Sequence, residues 1–97
     1  DKLIDVIEVR NFVGEEGVGR ELILVKGRAD SKTRPEITQI CDVFRGKIID
    51  VAPASLIIEV TGNENKIRAF LSLIEPFGVS EVARTGTVSL RRGMLDD

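Results

Sequence analysis

An α+β fold, in which a four-stranded antiparallel sheet carries two helices on one face, is predicted for this 97-residue chain by three observations. Two aliphatic runs, Ile48 to Val51 and Leu56 to Val60, flank a turn at Pro53, Ala54 and Ser55 and so form a hairpin. A segment of helical periodicity lies outside each end of that hairpin, beyond Gly46 and Gly62. One further apolar strand precedes the first helix and another follows the second. The order β-α-β-β-α-β is the split βαβ, or ferredoxin-like, arrangement, and right-handed crossovers place its first and third strands in the middle.

The elements follow in order. Asp1 to Arg10 runs into Val6, Ile7 and Val9, a short strand with no partner in the sequence, expected to be the end of an upstream domain, the alternative being an arm that packs on this one. Asn11 to Arg20 carries three glycines and reads as a linker. Its GxxGxG spacing is a poor phosphate loop, because a strand follows where a helix N-terminus would have to face the phosphates. Residues 1–20 are therefore set apart from a domain spanning 21–97. Glu21 to Ala29 reads as the first strand of the domain. Thr33-Arg34-Pro35-Glu36 has the form of a capping box, in which Thr33 accepts from the Glu36 N–H and Glu36 reaches back to Thr33. Ile37, Ile40, Cys41 and Phe44 then fall on one helical stripe. After the hairpin, Asn63 is a good N-cap for a helix whose stripe is Ile67, Phe70, Leu71 and Ile74, ended by Pro76 and Gly78. Val79 to Leu90 reads as one last strand, bent or bulged at Gly86, and Arg91 to Asp97 as a polar tail.

Composition narrows the function classes. With 42% hydrophobic and 31% charged residues the chain belongs with soluble globular proteins, and no apolar run approaches the roughly 20 residues a spanning helix needs. Fourteen basic and 16 acidic residues give no electrostatic case for nucleic acid or a membrane surface. A single cysteine excludes an intrachain disulfide and fits a reducing, cytoplasmic setting. The chain opens on Asp1 without a signal or transit segment, which reads as an excised or processed piece.

Chemistry-bearing constellations fail one by one. Histidine is absent, so Cys41 lacks the usual activating base and reads as a core residue. The acids Glu15 and Glu16 lie on the linker, while Asp50, Glu59 and Glu81 read as solvent-facing strand positions. No metal set has a recognisable spacing. An RNA-stacking sheet needs aromatics, but Phe44, Phe70 and Phe77 lie in or beside the helices and Phe12 in the linker. Arg45, Lys47, Arg84, Arg91 and Arg92 are left as a possible small basic patch, better read as solvated charge. An acylphosphatase-type hydrolase would need a glycine-rich anion loop where the turn from Ala29 to Thr33 has none.

The strands themselves carry the strongest functional signal. Ile23 and Val25 share one face of the first strand while Leu22 and Leu24 share the other, and Ile57 opposes Leu56, Ile58 and Val60 in the third. A sheet with one wet face should alternate cleanly. Leaving these side chains in water forgoes about 1.5–3 kcal/mol each. Leu22, Leu24 and Ile57 are therefore expected to form an interface, covered by a second copy or by an upstream domain, the alternative being edge and end positions that are simply half exposed.

The runs VFRGKIIDVA and LIIEVTGNENKIRAFLSLIEPFGVSEVARTG, with Glu21 to Lys26 before them, resemble the C-terminal domain of the small, regulatory subunit of acetolactate synthase, also called acetohydroxyacid synthase. Lys2 to Val6 resembles the closing segment of the ACT domain that precedes it in that family. The resemblance implies a non-catalytic partner, dimeric with its own kind, of a catalytic subunit that uses thiamine diphosphate, Mg²⁺ and FAD. It implies a role in the feedback control, usually by valine, of valine, leucine and isoleucine synthesis. No catalytic, cofactor or metal residue is implied in this chain, and the ACT-domain loop that holds the effector is not in it. A module of a different class, sensing an amino acid or nucleotide between two copies, is the alternative.

Overall fold

The structure, a computed structural model, describes residues 17–93. The strand expected at Val6 to Val9, most of the linker and the last four residues of the tail lie outside the described residues. Eight elements follow in order: β1 (Gly17–Arg28), α1 (Arg34–Val43), β2 (Lys47–Ala52), β3 (Ser55–Gly62), α2 (Glu64–Ile74), a 3₁₀ turn (Glu75–Phe77), β4 (Val79–Arg84) and β5 (Val88–Arg91). The main sheet has the order β2-β3-β1-β4, all antiparallel, so β1 and β3 are central as the sequence predicts.

Burial follows the two-residue period of the central strands. Ile23 and Val25 of β1, with Leu56, Ile58 and Val60 of β3, point beneath the helices and are sealed there by Ile37 and Cys41 of α1 and Ile67, Phe70 and Ile74 of α2. Phe70 meets Phe44 edge to face, with ring centroids 5.5 Å apart at 75°. Both predicted helical stripes are therefore the helix faces of the core. Asn63 caps α2 as expected, its side-chain oxygen accepting from the Lys66 N–H at 2.8 Å.

α1 begins where expected, with Thr33 at its N-cap position, but the side-chain bonds around that cap differ from the expected box. Thr33 makes no side-chain bond to the helix ahead of it. Instead Asp30 Oδ1 accepts from the N–H groups of Lys32 and Thr33, both at 2.9 Å, and Thr33 Oγ1 accepts from the Asp30 N–H at 3.0 Å. The reciprocal box exists, but between Asp30 and Thr33. A carboxylate so placed sees several N–H donors at once, and these hold the Asp30 carboxyl below its ordinary range. Arg34 then turns back from the helix, and its Nη2 donates to the carbonyls of Ala29, Ala52 and Pro53 at 3.2, 3.1 and 3.0 Å. One guanidinium thus ties the end of β1 to the hairpin tip. Its Nη1 is buried and has no partner among the described residues.

α1 ends in a Schellman turn, with the Gly46 N–H donating to Cys41 O at 2.8 Å and the Arg45 N–H to Asp42 O at 3.0 Å. The left-handed position is held by Arg45, at φ 58°. Gly46, next along, is needed for space: a Cβ there would sit 3.0 to 3.1 Å from Val60 Cγ2, Cys41 Sγ and Glu59 O.

The C-terminal strand is also two strands, not one. β4 pairs with Ile23 to Gly27 of β1, and β5 continues antiparallel along Gly17 to Arg20, residues expected to be linker. The break falls at Gly86, at φ 82°, whose N–H donates to Glu21 Oε2 at 3.2 Å instead of to the β1 ladder. Glu21 is buried at 4% exposure and takes a two-pronged grip from Arg84, Nε to Oε2 at 2.8 Å and Nη2 to Oε1 at 2.7 Å. This ion pair fixes the corner where the chain leaves the sheet. Arg84 holds the Glu21 carboxyl below its ordinary range, chiefly through that hydrogen bond, and against the opposing pull of burial.

Two outcomes follow. Arg45→Gly should stabilise the domain by about 0.5–1 kcal/mol, the left-handed penalty of about 1–2 kcal/mol less glycine's greater freedom when unfolded, seen as a higher urea midpoint at unchanged slope. Glu21 has a lowered folded pKa, so its stabilisation is complete above the unfolded value of about 4.3 and is lost as pH falls through the lowered one. Urea midpoints measured down a pH series should fall less steeply below about pH 4.5 in Glu21→Gln than in the parent, with the residual slope coming from groups such as Asp30.

Candidate functional site

Strand pairing decides which side chains share the helix-free face, because directly opposed residues of an antiparallel pair point the same way. Four rows run across the sheet. The first holds Thr61 and Leu22, and the second Lys47, Glu59, Leu24 and Ala83. The third holds Asp50, Ile57, Lys26 and Glu81, and the fourth Ala52, Ser55 and Arg28. Leu22, Leu24 and Ile57 do lie on this one face, with Leu24 38% exposed and the other two half-buried.

The face is a mosaic, which sequence reading of the aliphatic runs alone missed. Leu24 stands between Glu59 and Ala83, and Ile57 lies diagonally from it, beside Lys26. Lys26 Nζ reaches Glu81 Oε1 at 3.4 Å, an exposed pair that contributes little to stability. Lys47, Lys26 and Arg28 balance Asp50, Glu59 and Glu81 on this surface. An apolar centre crossed by matched charges has the make-up of a surface that meets another protein, with anchors amid polar groups that set register. Spacing predicts Asp50, Glu59 and Glu81 as outward strand positions, and each is found there. Their cross-strand neighbours depend on register, which no short stretch of sequence encodes.

Elsewhere the chemistry is quiet. Cys41 is 1% exposed, and burial, aided by the Asp42 charge, pushes its thiol up from the ordinary range. A groove of about 410 Å³ between α2 and β4 is lined in part by Leu71, Val79, Arg68 and Arg84. Both arginines are already engaged, Arg68 with Glu64 at 2.7 Å and Arg84 with Glu21. The basic residues considered together in the sequence are separated, since Lys47 is on β2 and Arg84 on β4, at opposite margins of the main sheet. Among the described residues no cluster of three or more acidic, cysteine or histidine side chains could hold a metal, and no helix is long and apolar enough to cross a membrane.

This sequence and fold have known counterparts. Residues 20–93 match the family described as the small subunit of acetolactate synthase. The chain is 45% identical over 93 residues to the acetolactate synthase small subunit of Mycobacterium bovis, covering 96% of this chain and 55% of that one. It is 50% identical over 94 residues to the probable acetolactate synthase small subunit of Methanothermobacter thermautotrophicus, covering 96% and 56%. The crystal structure of the acetolactate synthase small subunit from Thermotoga maritima superposes with a TM-score of 0.79 at 42% identity, over 88% of this chain and 52% of that one. The chain thus spans about half the length of these relatives. Fold and sequence agree across nearly all the described residues, and the chain belongs to the family of acetolactate synthase small subunits.

Proposed function

We propose that this chain is a non-catalytic regulatory module of acetolactate synthase, working in the cytoplasm. It supports dimerisation of the regulatory subunit and its hold on a separate catalytic subunit, in which thiamine diphosphate, Mg²⁺ and FAD do the chemistry. Residues 1–20 are the end of an ACT domain and its linker, and 21–97 the domain that braces it. The observation that carries this reading is the helix-free face: Leu22, Leu24 and Ile57 gathered at the centre of a charge-matched surface, on a chain of this family.

The physical mechanism is linkage. An effector held by the ACT domain prefers one arrangement of the regulatory dimer, and the catalytic partner feels that preference only if rigid contacts join the two. Coupling of this kind is typically worth about 1–3 kcal/mol. A mosaic face suits the task, since its charges set register while its apolar centre supplies affinity.

Leu22→Glu combined with Leu24→Glu leaves every helix-side core residue in place. The double variant should lose solution mass, alone or mixed with the catalytic subunit, and should no longer raise acetolactate formation by that subunit. An unchanged mass in both settings would count against the reading. Calorimetry of the chain against valine, leucine and isoleucine should show no heat of binding, and saturable binding would favour the sensor alternative.

A further inference from the structure

β2 is a margin of the main sheet, and among the described residues β3 is its only neighbour. It is an unusually greasy margin. Ile49 is 53% exposed and Val51 63%, Ile48 is exposed beside them, and Val43 at the end of α1 is 76% exposed. A row of unpaired backbone groups flanked by such side chains is a template for another strand. Lys47 guards it, since an apolar strand laid alongside would strand that ammonium.

One partner meets that requirement from the sequence of β2 itself. Lys47-Ile48-Ile49-Asp50 reads the same, in charge-complementary terms, when reversed. Antiparallel pairing with a second copy, centred between Ile48 and Ile49, sets Lys47 opposite the partner's Asp50 and Ile48 opposite the partner's Ile49, each twice. In a regular strand, residues three apart lie on opposite faces. Here the register with β3 shifts between Ile48 and Asp50, so Lys47 opposes Glu59 and Asp50 opposes Ile57, two positions apart and on the same face. The bulge brings the two charges to one side of the sheet, as pairing about a two-fold axis perpendicular to it demands.

We infer that the β2 edge is a homotypic docking surface, at which two copies of this chain join their sheets through paired Lys47 and Asp50 and an apolar seam of Ile48, Ile49 and Val51. The perpendicular axis places the helices of both copies on one side and both sets of Leu22, Leu24 and Ile57 on the other. The inference rests on the dimerisation part of the proposed function and specifies its geometry.

Sedimentation equilibrium of the 97-residue chain tests it by charge reversal. Lys47→Glu and Asp50→Lys should each raise the dimer dissociation constant by about tenfold or more, because each sets like charges face to face. The double variant carrying both changes restores opposite charges and should return to within about threefold of the parent. Urea midpoints of all three variants near the parent's would show that folding is not what changed. A monomeric parent chain, single variants that leave the constant unmoved, or a double variant as weak as the singles would each overturn the inference. If Leu22→Glu with Leu24→Glu dissociates the chain while the edge variants do not, the copies meet through the helix-free face. That result overturns the edge geometry and leaves the proposed function standing.

Discussion

The antiparallel pairing of β1 with β3 is the constraint on which the rest of the molecule depends. Its register sets Ile23 against Val60 and Val25 against Ile58, and this packs the inner halves of both strands under α1 and α2. The same register commits Leu22, Leu24 and Ile57 to the opposite side. A slip by one residue would exchange the two sets and bring Lys26 and Glu59 into the core at a prohibitive cost in desolvation. Core and helix-free face are therefore two readings of one ladder of hydrogen bonds, and neither can change register without the other.

Much of this was legible in the residues. Helical stripes, the hairpin at Pro53 and Ala54, the Asn63 cap and the division of faces in β1 and β3 all come from local spacing, and each is found in the structure. What escaped depends on contacts distant in sequence or on competition between near-equal local options. Only Thr33 and Glu36 were read as a capping box, whereas the Asp30 carboxylate, one turn earlier, accepts two N–H groups and engages Thr33. Glu21 looked like an ordinary strand end until Arg84, 63 residues later, was seen to grip it. Arg45 in the left-handed position breaks the usual preference for glycine, and its neighbour Gly46 is retained for space. The extension of β1 back to Gly17 needed β5 as a partner, and a glycine-bearing stretch gives no sign of that by itself.

The candidate site shows the same division. Its apolar members were readable from alternation, whereas its charged rows follow from register across three strand pairs. The bulge at Ile49 belongs to the second kind. It looks like a blemish in a short outer strand, yet it aligns Lys47 and Asp50 on one side and turns a generic sticky margin into one with a preferred mate. The relatives are named as small subunits of acetolactate synthase, and in the proposed reading this margin and the helix-free face serve contact with other chains.

β1 is the hub strand, bonded to β3, β4 and β5 in turn. On the ribosome it is made ahead of every partner among these elements; β3 and the two helices reach it midway through synthesis, whereas its other edge stays unpaired until β4 and β5, at the far end of the described residues, are made. Closure of such widely separated segments is slow compared with helix formation, and the waiting strand is open to mispairing meanwhile. The β4 side of β1 is thus the part of the sheet that stays open to mispairing longest while the chain is being made.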